Sequence, residues 1–153
     1  TESINTPEYW TAARAHLSKK DRVMKRLIPQ FGDACLVSRG DAFVTLARSI
    51  VGQQISVKAA QSVWNKFSAL SKKITPAGVL KLKVDDMRAA GLSARKVEYL
   101  VDLALNFHGK NVSVKEWQHM DDEAIIEELI AIRGIRYNLI DGPPLPPEYP
   151  DKF

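Results

Sequence analysis

Two glycine-containing turns carry the residues best suited to chemistry in this chain. The first is Val51-Gly52-Gln53-Gln54-Ile55-Ser56. Two long amides directly after a glycine can hydrogen-bond base edges or fill a gap in a duplex. A simpler account has Gly52 ending a helix and the glutamines decorating the turn. The second is Leu129-Ile130-Ala131-Ile132-Arg133-Gly134-Ile135-Arg136. A glycine turn between two helices points backbone N–H groups outward beside a positive helix end, an arrangement that binds phosphate without reading sequence. Arg133 and Arg136 add charge there. An ordinary glycine C-cap, with arginines complementing the helix dipole, accounts for the same residues.

Other chemistry-bearing residues are scattered. His16, His108 and His119 have no carboxylate or thiol at ligand spacing, so no metal site is expected. Asp121 and Asp122 resemble paired acids, but they stand at a helix start, where negative charge is favoured. Trp10, Trp64 and Trp117 could line a pocket, although Trp64 falls on an inward stripe and reads as core. The single cysteine, Cys35, can form neither an internal disulfide nor a four-cysteine metal site.

The elements that must position the two turns are helical nearly everywhere. Thr6 can cap a first helix with Pro7 at its first position, and Trp10, Ala13 and Leu17 facing inward. Asp21 caps a second, with Val23, Met24, Leu27 and Ile28 inward, ending before Pro29. Asp41 caps a third, with Phe43, Leu46, Ala47, Ile50 and Val51 on one stripe. Ser56 restarts a helix whose inward residues are Val57, Ala60, Val63, Trp64 and Phe67. A short helix runs from about Asp85 to Ala90 and stops at Gly91. Ser93 caps the next, with Val97, Leu100, Val101, Ala104 and Leu105 inward and Gly109 beyond its end. Asp121 caps the last, with Ile125, Ile126, Leu129 and Ile130 inward before Gly134. The stretch Asn111 to Val114 could be extended.

The totals fit this picture. A chain of 153 residues favours one domain with a real core. The net charge of +4 and pI near 9.2 suit a polyanion partner without requiring one. No apolar run reaches membrane-spanning length, so no membrane contact is expected. With no secretion signal at the N-terminus and one cysteine, a cytoplasmic setting is expected. The domain is read as residues 1–136. Residues 137–153, with Pro143, Pro144, Pro146, Pro147 and Pro150, form an irregular tail, because proline cannot continue a helix.

The two turns, in this order and separation, carry a family resemblance. The stretch Asp41 to Phe67 closely resembles the helix–turn–helix of bacterial 3-methyladenine DNA glycosylases of the second type. The run from Gly91 through Ser93, Arg95, Lys96 and Tyr99 to Leu100 resembles that family's next helix start. Ile132-Arg133-Gly134-Ile135 resembles the start of its helix-hairpin-helix. The resemblance covers about Tyr9 to Ile135. It implies an all-α orthogonal helical bundle of the helix-hairpin-helix DNA glycosylase type. It also implies hydrolysis of the bond between an alkylated base and its sugar, with the duplex kinked and the base swung into an aromatic pocket. The implied partner is double-stranded DNA containing alkylated bases, and no cofactor is implied.

By position, Gln54 would fill the gap in the duplex with Gln53 beside it. Arg133, Gly134 and Ile135 would anchor phosphate through backbone groups, with Arg136 next to them. Tyr137 would stand for the pocket aromatic. The hairpin departs from the family pattern at Arg136, where a second glycine is missing. Too few residues then remain before Gly142 and Pro143 for a stable second helix. The family's aspartate, whose charge stabilises the cationic sugar, follows that helix. No stretch here matches its segment, and Asp141 is the sole stand-in. The bundle is therefore expected to be incomplete at its C-terminus and impaired or inactive. It would leave an uncovered apolar face at Ile125, Ile126, Leu129 and Ile130 that favours self-association. The alternatives are a non-catalytic DNA-binding remnant and a helical protein-interaction module.

Overall fold

The computed structural model describes residues 6–32, 34–35 and 40–135. Arg136, Tyr137, Asp141 and the proline-rich stretch lie outside the described residues. Among the described residues every regular element is helical and none is a strand, as the periodicity requires. No helix of theirs is long and apolar enough to cross a membrane. The chain divides between Gly40 and Asp41 into two compact units.

The first unit holds α1 (Trp10–Lys20), α2 (Arg22–Leu27) and a 3₁₀ turn at Ile28–Phe31. The expected start at Thr6-Pro7 is corrected. The amide of Trp10 closes a tight turn on the carbonyl of Pro7 at 2.9 Å, so the helical ladder begins only at Trp10. Asp21 caps α2 as read, accepting from the amides of Val23 and Met24 at 2.7 and 2.8 Å. α2 ends at Leu27, before Pro29 as read, and Pro29 belongs to the separate turn that follows. It sits in the first turn of the 3₁₀ segment, where its missing N–H leaves no bond unmade. Leu17, Val23 and Leu27, expected inward, are exposed, while Met24 and Ile28 are half-buried.

The second unit holds α3 (Ala42–Gly52), α4 (Val57–Ala69), α5 (Pro76–Val79), α6 (Val84–Ala89), α7 (Ala94–His108) and α8 (Asp122–Ile130). The caps read from the sequence form as written. Asp41, Ser56, Ser93 and Asp121 each accept from a backbone amide in the first turn of the helix they precede. Packing runs through α7, which lies against α3, α5 and α6, while α3 also packs on α4. Phe67, Ile50, Met87, Leu100, Leu103 and Ile132 are fully buried, and Phe43 meets Phe107 edge to face at 5.4 Å.

Several stripe assignments differ from the expected ones. Val57 is 89% exposed because it opens α4 ahead of the packed turns. Leu105 is exposed and Leu103 takes the inward place. On α8, Leu129 is buried and Ile125 packs against the core, which leaves Ile126 as the exposed member of the expected face. The segment 111–114 forms bends rather than a strand, before a 3₁₀ turn at Glu116–His119. Gly91 adopts φ +103° after α6, and a Cβ there would lie 3.2 Å from Val63 of α4. Its stop to α6 is thus also a close helix contact.

Candidate nucleic-acid interface

The α3–α4 turn is built tightly. α3 ends at Gly52, Gln53 enters a turn at φ −58° and ψ 132°, and α4 begins under the Ser56 cap. Between them Gln54 sits in the left-handed region at φ +56° with its side chain exposed. A non-glycine residue there is held by its surroundings rather than by its own preference. Lys96, in the first turn of α7, reaches the backbone just before Gln54. Its ammonium donates to the carbonyls of Val51 at 2.7 Å and Gln53 at 2.9 Å. These are carbonyls at a helix C-terminus, which lack intrahelical partners and carry the negative end of the dipole. Partial burial pulls the Lys96 pKa below its ordinary value.

The turn after α8 is built on two anchors, Ile132 and Ile135, both buried. Gly134 lies between Arg133 and Ile135 at φ +88°, pressed so close to Tyr99 of α7 that any Cβ would collide with that side chain. Arg133 points its guanidinium outward, 67% exposed, within 3.5 Å of Asp102. The backbone amide of Arg133 also donates to Asp102, at 3.0 Å. The amide of Ile135 donates to the carbonyl of Ile132 at 3.3 Å.

The structure brings the two turns together. The side-chain amide of Gln53 donates to the carbonyl of Gly134 at 2.7 Å, across 81 residues of sequence. Gln53 therefore faces the second turn, while Gln54 alone of the pair projects outward. Phosphate anchoring is expected at Arg133, Gly134 and Ile135 through backbone groups, which carry three amides. Two are engaged within the domain, and the Gly134 amide is the one that donates to no group among the described residues. The joined turns carry an exposed Gln54 side chain and an exposed Arg133 guanidinium beside Gly134.

Sequence reasoning missed the residues that brace this surface. Lys96, Tyr99 and Asp102 follow one another at three-residue steps along α7 and reach both turns. The stretch Gly91 to Leu100 contains the first two, but spacing alone marks them only as half-buried polar positions on an amphipathic helix. Of the other candidates, Trp64 is core as read, with the Arg48 guanidinium 5.7 Å from its ring centroid. The indole N–H of Trp117 donates to Glu128. The three histidines are exposed. Among the described residues no group of three His, Cys, Asp or Glu side chains could hold a metal ion.

Comparison with known proteins places this geometry. The family model described as HhH-GPD superfamily base excision DNA repair protein matches residues 47–144. The chain is 31% identical over 132 residues to DNA-3-methyladenine glycosylase 1 of Schizosaccharomyces pombe, covering 82% of this chain and 58% of that relative. It thus spans little more than half of the relative's length. The solved S. pombe 3-methyladenine DNA glycosylase in complex with abasic DNA superposes with a TM-score of 0.72 at 30% identity, over 81% of this chain and 64% of that one. DNA-3-methyladenine glycosidase from Bacillus halodurans gives a TM-score of 0.69 at 27% identity, over 87% and 60% of the two chains. All three similarities fall on an all-helical chain whose two glycine turns are locked together, and the family match spans well over half of its 153 residues: the chain belongs to the HhH-GPD superfamily of base excision DNA repair proteins.

Proposed function

We propose that this domain binds duplex DNA through its joined turns and serves the removal of alkylated bases by hydrolysis of the N-glycosidic bond. The observation that carries the proposal is the bond from Gln53 to the Gly134 carbonyl, which makes one surface of two turns. Gln54 is then the side chain that enters the gap left by the displaced base. Arg133 and the Gly134 amide face the sugar–phosphate strand; Arg136 and Tyr137 follow in sequence, Tyr137 being the aromatic that the family resemblance assigns to the base pocket. The names of the relatives, and the abasic DNA in the S. pombe structure, support the substrate class. The functional domain is taken as 1–136, its setting as cytoplasmic.

Catalysis needs a negative charge beside the sugar as the base departs. No catalytic residue is assigned among the described residues, and Asp141 is the candidate from the sequence. The missing second hairpin glycine, with Gly134-Ile135 followed directly by Arg136-Tyr137, favours a second reading, in which the chain binds DNA without releasing base. Both readings share the binding step. Titration with a duplex at two salt concentrations tests it, because each phosphate contact adds about 0.9 to the slope of log K against log salt. A flat salt response would point instead to a helical protein-interaction module. Incubation with alkylated DNA then separates the readings: release abolished by Asp141→Asn supports catalysis, and no release with intact binding selects the non-catalytic one. Self-association is proposed only through the exposed Ile126 face of α8. A monomer in analytical ultracentrifugation would remove it.

A further inference from the structure

The ammonium of Lys96 uses two donors on two carbonyls of the α3–α4 turn, 43 and 45 residues earlier in the chain. Hydrogen bonds from a charged donor are roughly twice as strong as neutral ones. Val51 lies in the last turn of α3 and Gln53 directly precedes Gln54, whose left-handed backbone needs an external hold. One of the two carbonyls belongs to Gln53, whose side chain makes the bond to Gly134. The lysine therefore sits behind the surface, on the backbone that shapes it.

We propose that Lys96 is a positioning residue for DNA engagement: seated on the Val51 and Gln53 carbonyls, it fixes the backbone that projects Gln54 outward and aims Gln53 at Gly134. This rests on the reading of the joined turns as the DNA surface. A lysine in a basic DNA-binding domain has an obvious other use, as a phosphate contact. The two roles separate cleanly. Losing a phosphate contact lowers the salt slope by about one. Losing a positioning group weakens binding and leaves the slope alone.

The experiment uses the full chain, its Lys96→Met and Lys96→Arg variants, and a duplex containing a stable abasic-site analogue. Two measurements are made: affinity across salt concentrations, and amide hydrogen exchange through residues 51–56 without DNA. Lys96→Met should weaken binding about tenfold, the loss expected for a hydrogen bond to a charged group, at an unchanged salt slope. Exchange in the turn should quicken by a similar factor. Lys96→Arg, which keeps charge and donors, should restore most of both. Should Lys96→Met fail to fold, Lys96→Gln takes its place with the same readouts. A slope reduced by about one, or turn exchange unchanged from wild type, overturns the proposal. If wild-type protein shows no salt-dependent duplex binding, the DNA reading fails, and the exchange data still decide whether Lys96 holds the turn.

Discussion

The carboxylate of Asp102 holds Arg133 twice, accepting from its backbone amide at 3.0 Å and lying 3.5 Å from its guanidinium. The two contacts are unequal in consequence. The guanidinium is 67% exposed, and exposed ion pairs contribute roughly 0–1 kcal/mol. The amide bond fixes the backbone one residue before Gly134. The turn after α8 is therefore attached to α7 through its main chain, and the arginine head stays available to a ligand.

Asp102→Ala should then lower unfolding stability by about 1 kcal/mol, the typical net worth of one hydrogen bond. Arg133→Ala should change stability by less than about 0.5 kcal/mol, as exposed substitutions do. It should instead reduce the salt slope of duplex binding by about one. Urea titration of both variants gives the order. Equal destabilisation by the two would show that the side-chain ion pair, not the amide bond, secures the turn.

The bond from Gln53 to Gly134 needs a donor facing a carbonyl. Gln53→Ala should cost about 1 kcal/mol, the typical net worth of one hydrogen bond. Gln53→Glu should cost more at neutral pH, because a carboxylate would face a carbonyl oxygen. Facing that oxygen raises the folded pKa of the new carboxyl above its unfolded value. The extra penalty should therefore fall away as pH drops and the group protonates into a donor. Thermal melts of the two variants at pH 7 and near pH 4 read the difference. A gap that widens in acid would contradict the assignment of donor and acceptor.

At Gly134 two effects coincide, a left-handed φ of +88° and the pressure of the Tyr99 side chain. Gly134→Ala should destabilise by about 1–3 kcal/mol, the range for a strained backbone position. Adding Tyr99→Ala removes the ring atoms but keeps the Tyr99 Cβ at 2.7 Å, so it relieves part of the collision and none of the strain, and the double variant should still be less destabilised than the sum of the singles. Simple additivity in chemical denaturation would mean that Tyr99 does not press on this turn.

Burial lowers the pKa of Lys96 from 10.5. The unfolded chain therefore holds that proton more tightly than the folded chain. Between the lowered folded value and 10.5, stability contributed by this group rises with pH, and below that window it is flat. The stability margin of wild type over Lys96→Met should accordingly widen as pH climbs through the window. A margin that narrows there would mean the carbonyls of Val51 and Gln53 outweigh desolvation.

The caps at Asp21, Asp41, Ser56, Ser93 and Asp121 were legible because capping is local: a side chain and the amides of the next turn suffice. Both turns of the site were legible for the same reason, as glycines flanked by amphipathic helices. Their joining was not. Gln53 reads as a partner of Gln54, and only the packing of α3 and α7 turns it toward Gly134. Lys96 and Asp102 were missed because each serves groups more than thirty positions distant, as the separations of 31 and 43 residues record. The helix start at Trp10 rather than Pro7 shows a local rule losing to a local competitor, a reverse turn that took the same amide.

The left-handed Gln54 sets two selective pressures against each other. Glycine would relax that backbone, so a library screened for heat resistance should drift toward it at this position. Each such survivor would lack the protruding amide. Thermostabilised descendants of this chain would then be smooth where the parent is barbed and, on the proposed reading of Gln54, would grip a duplex less well.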